Sequence, residues 1–150
     1  MSLTARIDED LKKAMIARAA DRLSVLRMLK SAIKYFAIEN GGADAAPTDA
    51  DVVTVLRKEV KKRQDAAAGF ESGGRAESAA KEKAEIVMLE EYLPTPLTPL
   101  ELDTIVKAAI AEVGATGKAQ MGAVIKAAQA KAAGRVDGKT LSQLVQTLLA

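Results

Sequence analysis

Three of the chain's four prolines fall in one short stretch, Tyr92-Leu93-Pro94-Thr95-Pro96-Leu97-Thr98-Pro99, and no single helix can run through it. Pro94 and Pro96 each remove a backbone donor and push the preceding residue out of the α region. The helix that carries Ile86, Leu89 and Leu93 should therefore stop near Tyr92. A new helix starts at once. Thr98 at N-cap, Pro99 at N1 and Glu101 at N3 form a capping box, with Leu97 and Leu102 placed as a hydrophobic staple. The chain is thereby expected to divide into an N-terminal helical domain, residues 1–94, and a small C-terminal helical module, residues 95–150.

Everything else about the pattern is helical. Hydrophobic residues make up 49% of the 150, but aromatics only 3%, and much of the apolar content is alanine, which suits closely packed helices rather than a sheet. Leu3, Ile7, Leu11 and Met15 recur at four-residue steps as the face of a first helix, expected to fray into Ala19-Ala20. Asp21 is placed to cap a second, whose apolar positions from Leu23 through Leu29 to Phe36 cover more than half its circumference and make it the most buried. Asn40-Gly41-Gly42 signals its end. Thr48 and Asp51 open a third helix carried by Val52, Val53, Leu56 and Val60, closing near Gly69 or Gly73-Gly74. Beyond the prolines, Leu102, Val106 and Ala109 mark a fifth helix ended by Gly114 and Gly117. Met121, Val124, Ile125 and Ala128 mark a sixth. Asp137 caps a last one bearing Leu141, Leu144, Val145 and Leu148. No segment reads as a strand, so the expected fold class is all-α.

There is no Cys and no His, hence no disulfide, thiol nucleophile, imidazole base or zinc site of the usual ligands. No cofactor, metal or catalytic residue is expected. The uncharged runs are too short to span a bilayer and the N-terminus has no signal-like apolar core, which reads as a soluble cytoplasmic protein. The net charge of +2 is unevenly placed: residues 1–94 carry 16 basic and 16 acidic side chains, residues 95–150 carry 6 and 4. The small excess lies in the C-terminal module. A pI near 8.8 permits a nucleic-acid partner without demanding one. Arg57, Lys58, Lys61, Lys62 and Arg63 form a dense basic run on the third helix, either a phosphate grip or a solvated face. Carboxylate pairs Glu82-Glu85 and Glu90-Glu91 read as exposed ion-pairing positions rather than an acid–base site.

Four segments, taken in order, resemble a known family. They are Asp21-Arg22-Leu23-Ser24-Val25-Leu26-Arg27-Met28-Leu29-Lys30-Ser31-Ala32-Ile33-Lys34; Lys81-Glu82-Lys83-Ala84-Glu85-Ile86 running into Leu89-Glu90-Glu91-Tyr92-Leu93-Pro94; Gln120-Met121-Gly122; and Gly134-Arg135-Val136-Asp137-Gly138-Lys139. The chain resembles the stand-alone proteins of the GatB/YqeY family across nearly its whole length. The resemblance implies an N-terminal helical domain followed by a module similar to the tail of the B subunit of tRNA-dependent amidotransferase. That enzyme amidates misacylated tRNA with glutamine as donor, a carbon–nitrogen ligase, and its tail is thought to contact tRNA. The kinase-like body of that subunit and the amidase subunit's Ser-Ser-Lys machinery have no counterpart here. The implied partner is accordingly tRNA or a tRNA-bearing complex. The positions that match the tail and are carried over as nucleic-acid-binding candidates are Met121, Gly122, Gly134, Arg135, Gly138 and Lys139, with Asp137 beside them.

Two accounts of the Gly134–Lys139 turn stand together. The helix N-terminus with Arg135 and Lys139 would hold a phosphate. Alternatively Gly134 ends one helix and Asp137 caps the next, filling the same position. Met121 reads as core or ligand contact, and Gly122 as the space two helices need to approach. The alternative function class is a protein-interaction adaptor that docks through the apolar face of the last helix.

Overall fold

The computed structural model describes residues 1–149. It contains seven α-helices and one short 3₁₀ turn, and among the described residues no strand. The fold is all-α. No helix among these residues is long and apolar enough to cross a membrane. The chain forms two compact units, the first Met1–Leu93, the second beginning at Pro94.

The first unit contains α1 (Leu3–Ile16), α2 (Ala20–Gly41), α3 (Asp49–Ser72) and α4 (Ala76–Glu90). Its core is built from Ile7, Leu26, Leu29, Val52, Leu56 and Leu89, all essentially without exposure. Burying each such side chain contributes about 1.5–3 kcal/mol relative to leaving it in water, so this layer holds the unit together. Small residues let the helices approach: Ala14, Ala37, Ala67 and Ala79 are also buried. α3 packs along the length of α4, the most extensive helix pair in the unit.

Local detail departs from the sequence reading at the α1–α2 corner. α1 ends at Ile16, not Ala19-Ala20, because Arg18 turns left-handed at φ 54°. The Ala19 amide then donates to the Ala14 carbonyl (3.0 Å), and α2 begins one residue before Asp21, with Ala19 as its N-cap and no side-chain cap. Asp21 sits in the first turn, where its carboxylate still faces the positive end of the helix dipole. α3 begins as expected, with the reciprocal Thr48–Asp51 capping box (3.1 and 2.9 Å), and of the two expected ends it takes the later, running through Gly69 to Ser72 with Gly73 as its C-cap. A methyl group at Gly69 would meet nothing within 4 Å, so the glycine neither breaks nor packs the helix.

The C-terminal end of α4 is fixed by a polar cluster. Tyr92 is 1% exposed and its hydroxyl donates to Asp10 (2.5 Å). Arg22 donates to Glu91 (2.9 Å), and Arg6 stands 4.9 Å from the centre of the Tyr92 ring. Burial, reinforced by the bond to Asp10, raises the phenol pKa far above its ordinary value. The cluster joins α1, α2 and the segment just before Pro94 into one rigid corner.

The second unit contains α5 (Pro99–Val113), the 3₁₀ turn Lys118–Gln120, α6 (Met121–Ala132) and α7 (Gly138–Leu148). α5 starts at the predicted capping box: Thr98 accepts from the Glu101 amide and Glu101 accepts from the Thr98 amide. It ends at Gly114 in the left-handed conformation. Val106, Ala109, Val124, Ala128, Leu141 and Val145 form a second core with no exposure. The facing alanines allow α5 and α6 to approach closely.

Candidate nucleic-acid interface

The turn between α6 and α7 was the sequence's strongest candidate, and its geometry separates the two accounts of it. α6 stops at Ala132, and the residue that turns left-handed first is Ala133 (φ 49°), not Gly134, which follows at φ 80°. An alanine there is strained, since its Cβ crowds the following carbonyl. Asp137 then caps α7, its carboxylate accepting from the Thr140 amide at 3.1 Å. A carboxylate therefore already occupies the anion position at this helix start.

Arg135 is turned to internal work. Its Nε donates to the Thr95 carbonyl at 2.8 Å and its Nη2 lies 3.4 Å from Glu101, while its own carbonyl accepts from the Leu97 amide at 3.0 Å. The proline-rich strap at the start of the second unit is thus fastened to the α6–α7 turn. Glu101 is doubly engaged, and the Thr98 amide above all, with Arg135 adding to it, holds its carboxyl below the ordinary range. The Arg135 side chain is 38% exposed, and its Nε and Nη2 are both engaged within the unit. Lys139 is exposed and takes part in no ion pair among the described residues.

The other candidates are placed differently. Met121 begins α6 and packs, partly buried, against the second core. Gly122 is exposed, and a Cβ there would meet nothing within 4 Å, so it does not serve helix approach as the sequence suggested. Gly138 is the first residue of α7, also exposed with open space around it.

What the sequence could not show is how the charges of this unit cancel. Of its four carboxylates, Glu101 pairs with Arg135, Asp103 with Lys107 (2.9 Å), Glu112 with Lys131 (2.8 Å), and Asp137 caps α7. Lys118, Lys126 and Lys139 are left exposed with no ion pair among the described residues. These three lysines, set against the Asp137 carboxylate, make up the unit's excess of two positive charges.

In the first unit the basic run on α3 does not act as one patch. Arg63 is drawn inward, bound to Glu59 (2.7 Å) and Glu85 (3.1 Å), and Lys58 covers the Phe36 ring at 5.1 Å. Burial opposes the Arg63 charge, but the two carboxylates outweigh it and raise its pKa. Lys61 and Lys62 remain in solvent. Glu85 and Glu91 likewise serve ion pairs rather than a paired-carboxylate site.

Comparison with known proteins agrees with the four segments noted above. Among similar proteins, an uncharacterized protein of Schizosaccharomyces pombe, C22F3.15, is 36% identical over 93 residues, 62% of this chain and 73% of that protein. Altered inheritance of mitochondria protein 41, mitochondrial, of Pyrenophora tritici-repentis is 27% identical over 150 residues, covering 96% of this chain and 79% of its own. The protein of the same name in Clavispora lusitaniae is 34% identical over 92 residues, 61% of this chain and 52% of its own. A family model described as Yqey-like protein matches residues 4–149, and the chain belongs to that family.

Proposed function

We propose that this protein is an accessory module that engages tRNA or a tRNA-bearing complex, related through its second unit to the tail of the glutamine-dependent tRNA amidotransferase. Carbon–nitrogen ligase chemistry would then belong to the assembly and not to this chain alone. The observation that carries the reading is the charge distribution of the second unit, where, among the described residues, three exposed lysines, Lys118, Lys126 and Lys139, stand without ion-pair partners while the four acidic side chains are engaged in pairs or a helix cap. Such unneutralised ammonium groups attract a phosphate backbone by releasing its counterions. Shape and charge, not base readout, would set the contact.

The test is the salt dependence of tRNA binding. Replacing all three lysines by glutamate should weaken binding and reduce the slope of log affinity against log salt by roughly two to three, since each lost phosphate contact removes close to one. Lys12→Glu with Lys13→Glu on α1 should leave the slope near wild type. Equal effects from both variants would overturn the reading.

One observation favours the adaptor reading as a second choice. A cleft of about 460 Å³ lies between α5 and α7, with Leu97, Leu102 and Leu144 in its wall. Leu100, in the first turn of α5, is 76% exposed. A partner held there would bind with little salt dependence, and its binding would be reduced by Leu144→Glu.

A further inference from the structure

In a chain with only two tyrosines and two phenylalanines, an aromatic ring left outside the core calls for an explanation. Tyr92 is buried, but Tyr35 on α2 is 74% exposed. It lines a cleft of about 250 Å³ between α2 and α3, together with its neighbour Phe36, Lys58, Glu39 and Glu59. The volume suits one planar ring system stacked on a side chain. Phe36 is already covered by the Lys58 ammonium, so the open π-face is that of Tyr35.

The charges around the ring are arranged for a nucleotide. Lys58 lines the cleft over the Phe36 ring and Lys62 follows it one turn along α3; both are exposed and, among the described residues, in no ion pair, so their ammonium groups can meet phosphate. Glu59 is neutralised by Arg63, which leaves Glu39 as the one cleft carboxylate, among the described residues, with no cation bound to it. A carboxylate beside a stacked base is an acceptor pair. Guanine offers two adjacent donors on its Watson–Crick edge, N1–H and the 2-amino group. Adenine and cytosine offer one donor flanked by an acceptor, and uracil one donor flanked by two carbonyls.

We propose that the α2–α3 cleft is a stacking site for an unpaired guanine of RNA, with Tyr35 as the platform, Lys58 and Lys62 on the flanking phosphates, and Glu39 reading the base edge. The proposal rests on the RNA-binding reading above and places a sequence-sensing contact on the first unit. Stacking on an aromatic side chain is worth enough by itself to be measured, and every base has a π-face, so the preference must come from Glu39.

The experiment uses the full chain and uridine hexamers carrying one central guanosine or adenosine, with binding followed by anisotropy of a label on the RNA. There is no Trp and Tyr92 is buried, so tyrosine emission of the unmodified protein reports the Tyr35 contact independently. The guanosine hexamer should quench that emission and bind several-fold more tightly than the adenosine one. Tyr35→Ala should weaken it roughly tenfold without changing the salt slope, and Tyr35→Phe should bind near wild type. Glu39→Gln should remove the guanosine preference. Lys58→Ala with Lys62→Ala should lower the slope by roughly one to one and a half.

Tyr35→Ala binding like wild type, or equal affinity for the two hexamers, would overturn the assignment. If that happens while the Lys118, Lys126 and Lys139 variant still loses tRNA, the stacking site alone falls. If the wild-type chain binds neither hexamer nor tRNA, both readings fall together. Tyr35 is exposed, so its variants should keep the wild-type helical signal and melting behaviour.

Discussion

Replacing Arg135 by alanine should destabilise the second unit locally, and the structure says by how much. The variant loses the 2.8 Å bond from Nε to the Thr95 carbonyl and the 3.4 Å contact with Glu101, but keeps the backbone bond from the Leu97 amide to the residue 135 carbonyl. A hydrogen bond from a charged donor is worth about 1.5–3 kcal/mol when protected. Here the side chain is 38% exposed, so about 1 kcal/mol is the fitting figure, and the Glu101 pair, exposed on both sides, is screened by solvent and adds little. Global unfolding of a chain with two units need not be two-state, so hydrogen exchange of the Leu97 amide is the better readout. One kcal/mol corresponds to about fivefold faster exchange there. Arg135→Lys should recover little of the loss, because lysine carries charge but not the planar fork that reaches Thr95. Lys139→Ala is the control, with an expected cost within about 0.5 kcal/mol. If Arg135→Ala and Lys139→Ala exchange alike, the strap is not held by the guanidinium and the arginine is free for a ligand after all.

Two further predictions concern the caps of the same unit. The folded-state pKa of Glu101 is depressed below the ordinary value of 4.5, so its contribution is present above about pH 4.5 and is lost as pH falls through the depressed value. Exchange protection at the start of α5 should therefore weaken only on the acid side, and Glu101→Gln, which cannot titrate, should flatten that limb. Ala133 holds a left-handed φ of 49° that glycine adopts without strain. Ala133→Gly should raise stability by about 0.5–1 kcal/mol in urea unfolding, and a loss of stability would show that the methyl group makes a packing contribution larger than the strain.

Signals that live within a few residues were legible from the chain, and signals that need a distant partner were not. The capping boxes at Thr48–Asp51 and Thr98–Glu101 and the Asp137 cap are three-residue devices, and all three formed. The apolar stripes also held, from Leu26 and Leu29 in α2 to Leu141 and Val145 in α7. Glycine marked most helix ends, at Gly42, Gly73 and Gly114, but Gly69 has the surroundings of an ordinary helical position and the left-handed role after α6 falls first to Ala133. The start of α2 moved because Arg18 made the corner tighter than any local propensity suggests. Tyr35 could not be singled out at all, since a tyrosine next to Phe36 on an apolar helix reads as part of the core stripe until the neighbouring helix is in place.

Charge is the quantity that tertiary structure redistributed most, and it decides where a phosphate contact should be sought. Among the described residues of the second unit, only Asp103–Lys107 is a pair that helical spacing announces. Glu101 and Arg135 are 34 residues apart, and Glu112 meets Lys131 on a different helix, so neither pairing is visible along the chain. Before those pairs are known, Arg135 looks like the natural phosphate ligand of its motif, flanked by glycines and close to a helix start. Once they are known, Arg135 is the residue that fastens Thr95 and faces Glu101, and any phosphate drawing it away must first displace both contacts. Lys118, Lys126 and Lys139 meet no such competition. A phosphate backbone at the second unit should therefore engage the three lysines with Arg135 still bound to Thr95, so tRNA at saturating concentration should leave Leu97 exchange unchanged or slower. Faster exchange on tRNA binding would mean that the guanidinium had switched partners, and would return the site to the turn.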